Sequence, residues 1–235
     1  MKITVAGTGY VGLVTGVCLA SVGYSVTCLD LDEKKVEALR RGVSPIYEKD
    51  LEEMMAQHRE RITYTTDKKA AYADADFIFI GVGTPENEDG SANLSAVYAV
   101  ADDIASYAVN SPIVAVKSTV PIGTCDKLEK YINDKMKPGF EVRVVSNPEF
   151  LAQGTAVRDT LKASRIVVGA KDAKAAQAMK GLYEPFELPV ILTDRRSSEM
   201  IKYASNDFLA LKISYINEIA NLCELVGANI DVTEF

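Results

Sequence analysis

Three glycines, Gly7, Gly9 and Gly12, stand in "VAGTGYVG" directly after an apolar run, and a carboxylate, Asp30, ends the next apolar run. The spacing G-x-G-x-x-G between a strand and a helix predicts a phosphate cradle. Gly7 permits a tight turn, Gly9 lets a pyrophosphate approach the backbone, and Gly12 lets helix and strand pack closely. The helix N-terminus adds unpaired N–H donors and a partial positive charge. Asp30 is placed to accept both hydroxyls of a ribose and to repel a 2′-phosphate. No arginine follows it directly, so the expected cofactor is NAD, with Lys35 assisting. The plainer alternative is that the glycines serve packing and Asp30 caps a helix.

Further polar residues fall at the ends of later apolar runs. Thr84 and Pro85 open the loop "GTPENEDGSANL", Ser118 and Thr119 stand in "KSTVPIGT", and Glu149 follows a proline in "SNPEFLAQG". Ligands of open α/β sheets gather at such strand ends. Lys202 and Asn206 are four apart in a helical pattern and share a face. A buried ammonium and amide placed together there can steady a developing alkoxide.

Positioning these groups requires strands alternating with helices. Apolar runs at 3–6, 25–29, 62–65, 77–81, 113–117, 142–146, 165–169 and 189–193 are separated by charged segments of helical pattern. The expected fold class is α/β: a Rossmann-type doubly wound parallel sheet, followed by a long connecting helix. Residues 1–195 form the NAD-binding domain in this reading. Residues 196–228 form a long central helix, apolar at Met200, Ile201, Ala204, Phe208, Leu211, Ile216, Ile219, Leu222 and Val226. Residues 229–235, "NIDVTEF", look like the opening turn of a further helix capped by Asn229 or Asp231, so a longer protein is expected.

The totals narrow the function. The chain has 235 residues and a formal charge of −7, a poor match for non-specific nucleic-acid binding. No apolar run reaches membrane-spanning length. The four cysteines show no metal spacing, and His58 is the single histidine. A metal site and a serine–histidine triad are therefore not expected, and a cytoplasmic location is.

Several segments in fixed order carry a resemblance: "GTGYVG", "SPIYEKDLE", "VGTP", "KSTVPIGT", "NPEFL", "SRIVVG" and "EMIKYASNDFLALKISYINEIANLCE". Together they resemble the nucleotide-sugar dehydrogenases of the UDP-glucose/GDP-mannose dehydrogenase family, along essentially the whole chain. The resemblance implies NAD-dependent oxidation of the C6 alcohol of UDP-glucose to UDP-glucuronate, through a cysteine thioester. It places NAD against Gly7, Gly9, Tyr10, Val11, Gly12, Asp30, Lys35, Thr84, Thr119 and Gln153. It lines the UDP-sugar substrate with Glu149, Phe150, Leu151, Ala152 and Gln153, together with Lys202 and Asn206. Glu149 is the implied acid/base, Thr119 a water-positioning group, and Lys202 with Asn206 the oxyanion ligands. The long helix is the implied core of a homodimer.

Two departures matter. The family pattern reads "FLxEG" where this chain has Gln153, which cannot take a proton. The family nucleophile lies in a "GGxCxPKD"-like stretch beyond residue 235, so this chain is expected to bind NAD without turnover. A GDP-mannose or UDP-N-acetylmannosamine dehydrogenase, a β-hydroxyacid dehydrogenase and a non-catalytic NAD-binding module remain alternatives.

Overall fold

The computed structural model describes residues 1–232. Eight strands form one sheet: β1 (Lys2–Ala6), β2 (Ser25–Leu29), β3 (Ile62–Thr65), β4 (Phe77–Ile80), β5 (Ile113–Val116), β6 (Arg143–Ser146), β7 (Ile166–Gly169) and β8 (Val190–Thr193). Their spatial order is β3-β2-β1-β4-β5-β6-β7-β8. The chain runs outward from β1 in one direction to β3, then returns to β4 and proceeds the other way. A crevice opens where the order reverses, at the carboxyl ends of β1 and β4.

Both faces of the sheet are covered, which is why the strands are continuously apolar rather than alternating. Phe77 and Phe79 join one core with Leu13 and Val17, while Ile78 and Ile80 join a second core with Val97, Ile104 and Leu128. The first face is built on α1 (Tyr10–Ser21), with α3 (Leu51–Gln57), α7 (Ala156–Leu161) and α8 (Ala173–Tyr183); the second on α4 (Lys68–Tyr72), α5 (Ser95–Tyr107) and α6 (Thr124–Asn133). Truncating one of these buried side chains, such as Ile78 to Ala, costs about 2–5 kcal/mol.

Local chemistry sets where the helices begin. Asp32, Asp67 and Asp172 each accept backbone N–H bonds at the starts of α2 (Glu33–Arg40), α4 and α8. Helix α6 has Gly123 at that position and takes its cap from elsewhere. The Glu199 carboxylate accepts from the N–H groups of Gly123 at 2.5 Å and Cys125 at 2.8 Å. Helix α1 begins at Gly9 with no side-chain cap.

The sheet is not parallel throughout, as the alternation of strands and helices suggested. Strand β7 runs antiparallel to β6, bridged at Ser146 and Gly169, and the remaining pairs are parallel. The connecting helix α7 has six residues, about 9 Å of rise. It lies within a connection of residues 147–165, after which β7 starts at the end of the sheet where β6 finished. Helix α8, with eleven residues, carries the parallel crossover to β8.

The long helix α9 spans Arg195–Val226, starting one residue before the expected 196 and ending two before the expected 228. The chain divides into two compact units, Met1–Glu199 and a second from Met200 onward, with the division inside α9. In the second unit, the apolar positions Phe208, Leu211, Ile216, Leu222 and Val226 are exposed. A short 3-10 turn, Ile230–Val232, follows, and Asn229 accepts from the Asp231 N–H across it. The expected opening of a further helix beyond it, 233–235, lies outside the described residues.

Candidate functional site

Strand β1 ends in the glycine turn. Gly7 has a φ of +93°, a conformation that favours glycine, and its N–H donates to the Leu29 carbonyl at 2.8 Å. A Cβ on Gly12 would stand 1.9 Å from the Gly7 carbonyl oxygen, and Gly81 at the tip of β4 packs against the same Gly12 backbone. Close contact of α1 with the sheet thus requires both glycines. Gly9 differs, because a Cβ there would meet no protein atom within 4 Å. The space beside Gly9 lies over the uncapped start of α1, where the N–H groups of Tyr10, Val11 and Gly12 have no earlier helical turn to bond. That combination suits an anion that presses on the backbone.

Asp30 follows β2 at the same crevice and is held more tightly than its sequence position implied. Its Oδ2 accepts from the Thr8 N–H at 2.9 Å, the Thr8 hydroxyl at 2.5 Å and Lys35 Nζ at 3.0 Å, while Oδ1 accepts from the Asp32 N–H at 3.1 Å. Burial works to raise the carboxyl. The hydrogen bonds from Thr8, Asp32 and Lys35 outweigh it and hold Asp30 below the usual carboxylate range. Oδ2 thus holds three donors and Oδ1 one, so Oδ1 is the oxygen with more room for a further donor. Lys35 stands next to it as a donor. These residues, with Gly7 and Gly9, wall a cavity of about 290 Å³.

The next two strand tips are stitched together. The Thr84 hydroxyl donates to the Thr119 carbonyl at 2.8 Å, and the Ser118 hydroxyl to the Val82 carbonyl at 2.6 Å. Beyond β6, the Glu149 carboxylate accepts from the Leu151 N–H at 2.8 Å and closes its own turn. Phe150 lies under the Arg165 guanidinium, 5.0 Å from ring centroid to Cζ. Ala152 and Gln153 are exposed. Glu149 and Leu151 border a second cavity, of about 60 Å³, which Lys117 and Asn147 also line. Lys117 Nζ approaches both oxygens of Asn147 at 3.4 Å, and Tyr183 donates to Asn147 Oδ1 at 2.6 Å.

The turn of residues 149–154 is tied to the glycine turn by groups that sequence reading missed. The Gly154 N–H donates to Glu48 Oε2 at 2.8 Å and to the Tyr10 hydroxyl at 3.2 Å, and Tyr10 donates to the Tyr47 carbonyl at 2.6 Å. Glu48 is 7% exposed. The spacing signal for Glu48 was its place in "SPIYEKDLE"; Thr8 had only its position between two glycines. Lys202 and Asn206 lie one turn apart on α9 in the second unit, where Lys202 is buried and Asn206 exposed.

Among the described residues no cluster of histidine, cysteine and carboxylates could hold a metal, and no helix is long and apolar enough to cross a membrane. The four cysteines are free and buried, and burial pushes the thiols of Cys18 and Cys28 up to about 12.

Comparison with known proteins agrees with this geometry. Residues 1–187 match the profile of the UDP-glucose/GDP-mannose dehydrogenase family, NAD binding domain, and residues 196–234 match that family's central domain. UDP-glucose 6-dehydrogenase YwqF of Bacillus subtilis is 48% identical over 237 residues, covering 100% of this chain and 54% of that protein. The UDP-glucose 6-dehydrogenase of Rhizobium meliloti is 49% identical over 238 residues, covering 98% and 54%. Among solved structures, a UDP-glucose dehydrogenase from Pyrobaculum islandicum superposes with a TM-score of 0.92 at 38% identity, over 97% of this chain and 54% of that one. A ternary complex of GDP-mannose dehydrogenase from Pseudomonas aeruginosa gives 0.93 at 34% identity, over 98% and 55%. The chain spans about half the length of these relatives.

Proposed function

The chain belongs to the UDP-glucose/GDP-mannose dehydrogenase family, and on that premise we propose that it is the NAD-binding part of an enzyme that oxidises UDP-glucose to UDP-glucuronate. The residues fit the cofactor. Gly9 leaves open backbone for the pyrophosphate, Tyr10, Val11 and Gly12 offer N–H donors, and Asp30 with Lys35 meets the ribose. Bound there, the nicotinamide supplies the acceptor for the hydrogen removed from the sugar's C6 carbon. Thr84 and Thr119 hold the strand tips beside it, and the tie at Gly154 keeps Gln153 next to the glycine turn.

In this reading Glu149 is the proton acceptor for the sugar alcohol, Thr119 orients a water, and Glu149 to Gln153 form the substrate wall. Lys202 and Asn206 ligate the sugar oxygen and its developing charge. A glutamine at 153 hydrogen-bonds but moves no proton, so proton transfer in this segment falls to Glu149. The covalent step needs a reactive thiolate. All four cysteines here are buried, so this chain binds NAD without completing the oxidation. The UDP-glucose relatives at 48% and 49% identity favour that sugar over GDP-mannose.

The observation that carries the proposal is the Thr8–Asp30–Lys35 cluster beside the open Gly9 backbone. Isothermal titration with NAD⁺ tests it: Asp30→Ala weakens binding by at least about tenfold, roughly 1.4 kcal/mol. Unchanged affinity in that variant refutes the ribose role. A homodimer through the exposed apolar side of α9 belongs to the same reading, as does a cytoplasmic location. Sedimentation showing a monomer at micromolar concentration would remove the dimer.

A further inference from the structure

The turn of residues 149–154 gives its N–H groups to three carboxylates. Leu151 donates to Glu149 Oε2 at 2.8 Å, Ala152 to Asp159 Oδ2 at 3.1 Å and Gly154 to Glu48 Oε2 at 2.8 Å. The first two acceptors are local, two and seven positions along the chain. Thr155 completes that local frame, with its N–H on the Ala152 carbonyl at 3.2 Å and its hydroxyl on Asp159 Oδ2 at 2.7 Å. The turn therefore takes its shape from within. Glu48 is different. It comes from the loop between α2 and α3, 106 positions away, and it is buried. Its Oε1 is buried as well, with no hydrogen-bond partner among the described residues. A carboxylate so placed is a poor choice for stability alone.

A second group reaches the same N–H. Gly154 also donates to the Tyr10 hydroxyl at 3.2 Å, and Tyr10 opens α1 directly after Gly9. The Tyr10 hydroxyl donates in turn to the carbonyl of Tyr47, the neighbour of Glu48. Glycine turn, Glu48 loop and the turn of residues 149–154 thus meet at one backbone donor. From this junction we infer that Glu48 is a positioning residue. It fixes where the turn carrying Glu149 and Gln153 stands against the glycine turn, and so sets the contact of that turn with the nicotinamide end of the dinucleotide. The inference rests on the proposed binding of NAD at Gly9 and Asp30. The adenosine half of the ligand falls to Asp30, which Thr8 and Lys35 hold by bonds of their own. Loss of Glu48 is therefore felt at one end of the ligand and not at the other.

Isothermal titration of the chain with NAD⁺ and with ADP-ribose, which lacks the nicotinamide, reads that asymmetry. The ratio of the two affinities cancels a general loss of folding. The native chain should prefer NAD⁺. Glu48→Ala should bring the ratio to unity, with ADP-ribose affinity within about twofold of native. Glu48→Asp keeps the charge but withdraws the carboxylate by one carbon–carbon bond, about 1.5 Å, and should lower the ratio as well. Glu48→Gln loses the charge but keeps an oxygen within reach of Gly154, and should hold the native ratio. If the alanine variant does not fold, the aspartate and glutamine variants decide by themselves. Equal affinities in the native chain, or a ratio unmoved by Glu48→Ala and Glu48→Asp, would overturn the assignment. So would a preference lost in Glu48→Gln and kept in Glu48→Asp, because charge and not reach would then matter. If ADP-ribose binding still depends on Asp30 in those cases, the NAD reading stands and only the role of Glu48 falls. If neither ligand binds, both fall.

Discussion

Alanine at Gly9 and alanine at Gly12 should fail in opposite ways. Gly9 has φ −75° and ψ −167°, extended backbone open to any residue, and its added Cβ meets nothing within 4 Å. Two small effects oppose each other in the folded protein. Alanine is the poorer N-cap, at a cost of about 0.5–1 kcal/mol. It also restricts the unfolded chain, a gain of about 0.4–1 kcal/mol. Net stability should stay within about 1 kcal/mol of the native chain. The methyl group instead occupies the space over the start of α1, holding a phosphate off the N–H groups. NAD⁺ affinity should drop by about a hundredfold or more, roughly 2.7 kcal/mol. Gly12 is the reverse. Its Cβ would lie 1.9 Å from the Gly7 carbonyl oxygen and 2.9 Å from the Gly7 carbonyl carbon, both backbone atoms, against ordinary contacts of 3.4–4 Å. Helix α1 must move by more than an ångström, at a cost of about 3 kcal/mol or more. For a chain of this size the melting temperature should drop by roughly 6–12 °C. Calorimetry and urea unfolding give the stabilities, and isothermal titration gives the affinity. A Gly9→Ala chain that binds NAD⁺ like the native one, or a Gly12→Ala chain with native stability, refutes the division of labour.

Thr8→Val removes a hydroxyl donor from the Asp30 carboxylate and should cost about 1–2 kcal/mol at pH 7. Because the folded pKa of Asp30 is lowered, its stabilising contribution is complete above the unfolded value near ~3.9 and disappears as pH falls through the lower folded value. The penalty of Thr8→Val, measured by urea unfolding, should therefore be full at neutral pH and shrink below about pH 4; a penalty that grows on acidification would contradict the charge assignment. Arg195, 3% exposed, donates to the Val144 carbonyl at 2.7 Å, to Asp126 Oδ1 at 3.1 Å and to Glu129 Oε2. Arg195→Met leaves the partly buried Glu129 without its cation and should destabilise by about 2–4 kcal/mol, while the double variant with Glu129→Gln should recover part of that loss; equal stabilities for the single and double variants would count against the pairing.

The strands were legible because each is buried on both faces, so their apolar runs are uninterrupted. Phe77-Ile78-Phe79-Ile80 feeds two cores at once and reads as a strand from composition alone. The glycine turn was legible because backbone geometry restricts residue type at Gly7 and Gly12. The reversal of β7 was not. It depends on which end of the sheet the chain re-enters after residues 147–165, and "TAVRDTL" gives no sign of where the next strand will pair. Side chains that act across the fold were equally silent. Glu48 meets Gly154 across 106 positions, and Glu199 caps a helix 74 positions away. The apolar positions of α9 were visible, but periodicity marks a face without naming what covers it. Here Phe208 and Leu211 are exposed.

Thr8 shows why the sequence fingerprint works as a unit. It stands between Gly7 and Gly9, and both its N–H and its hydroxyl bond the carboxylate that follows β2. The turn that receives phosphate therefore also aims the group that receives ribose. Any shift of the glycine turn drags Asp30 with it, and any loss of the Asp30 charge loosens the turn. Lys35, bonded to the same oxygen, adds α2 to the assembly. One carboxylate oxygen is spent on rigidity so that the other can be presented in a fixed place. Asp30→Asn would remove the charge yet keep the shape, and would turn one oxygen into a donor facing Thr8, Lys35 or Asp32. It should therefore impair NAD⁺ binding about as much as Asp30→Ala, since one of these donors would then face another donor. An asparagine variant with native affinity would show that shape at this position matters and charge does not.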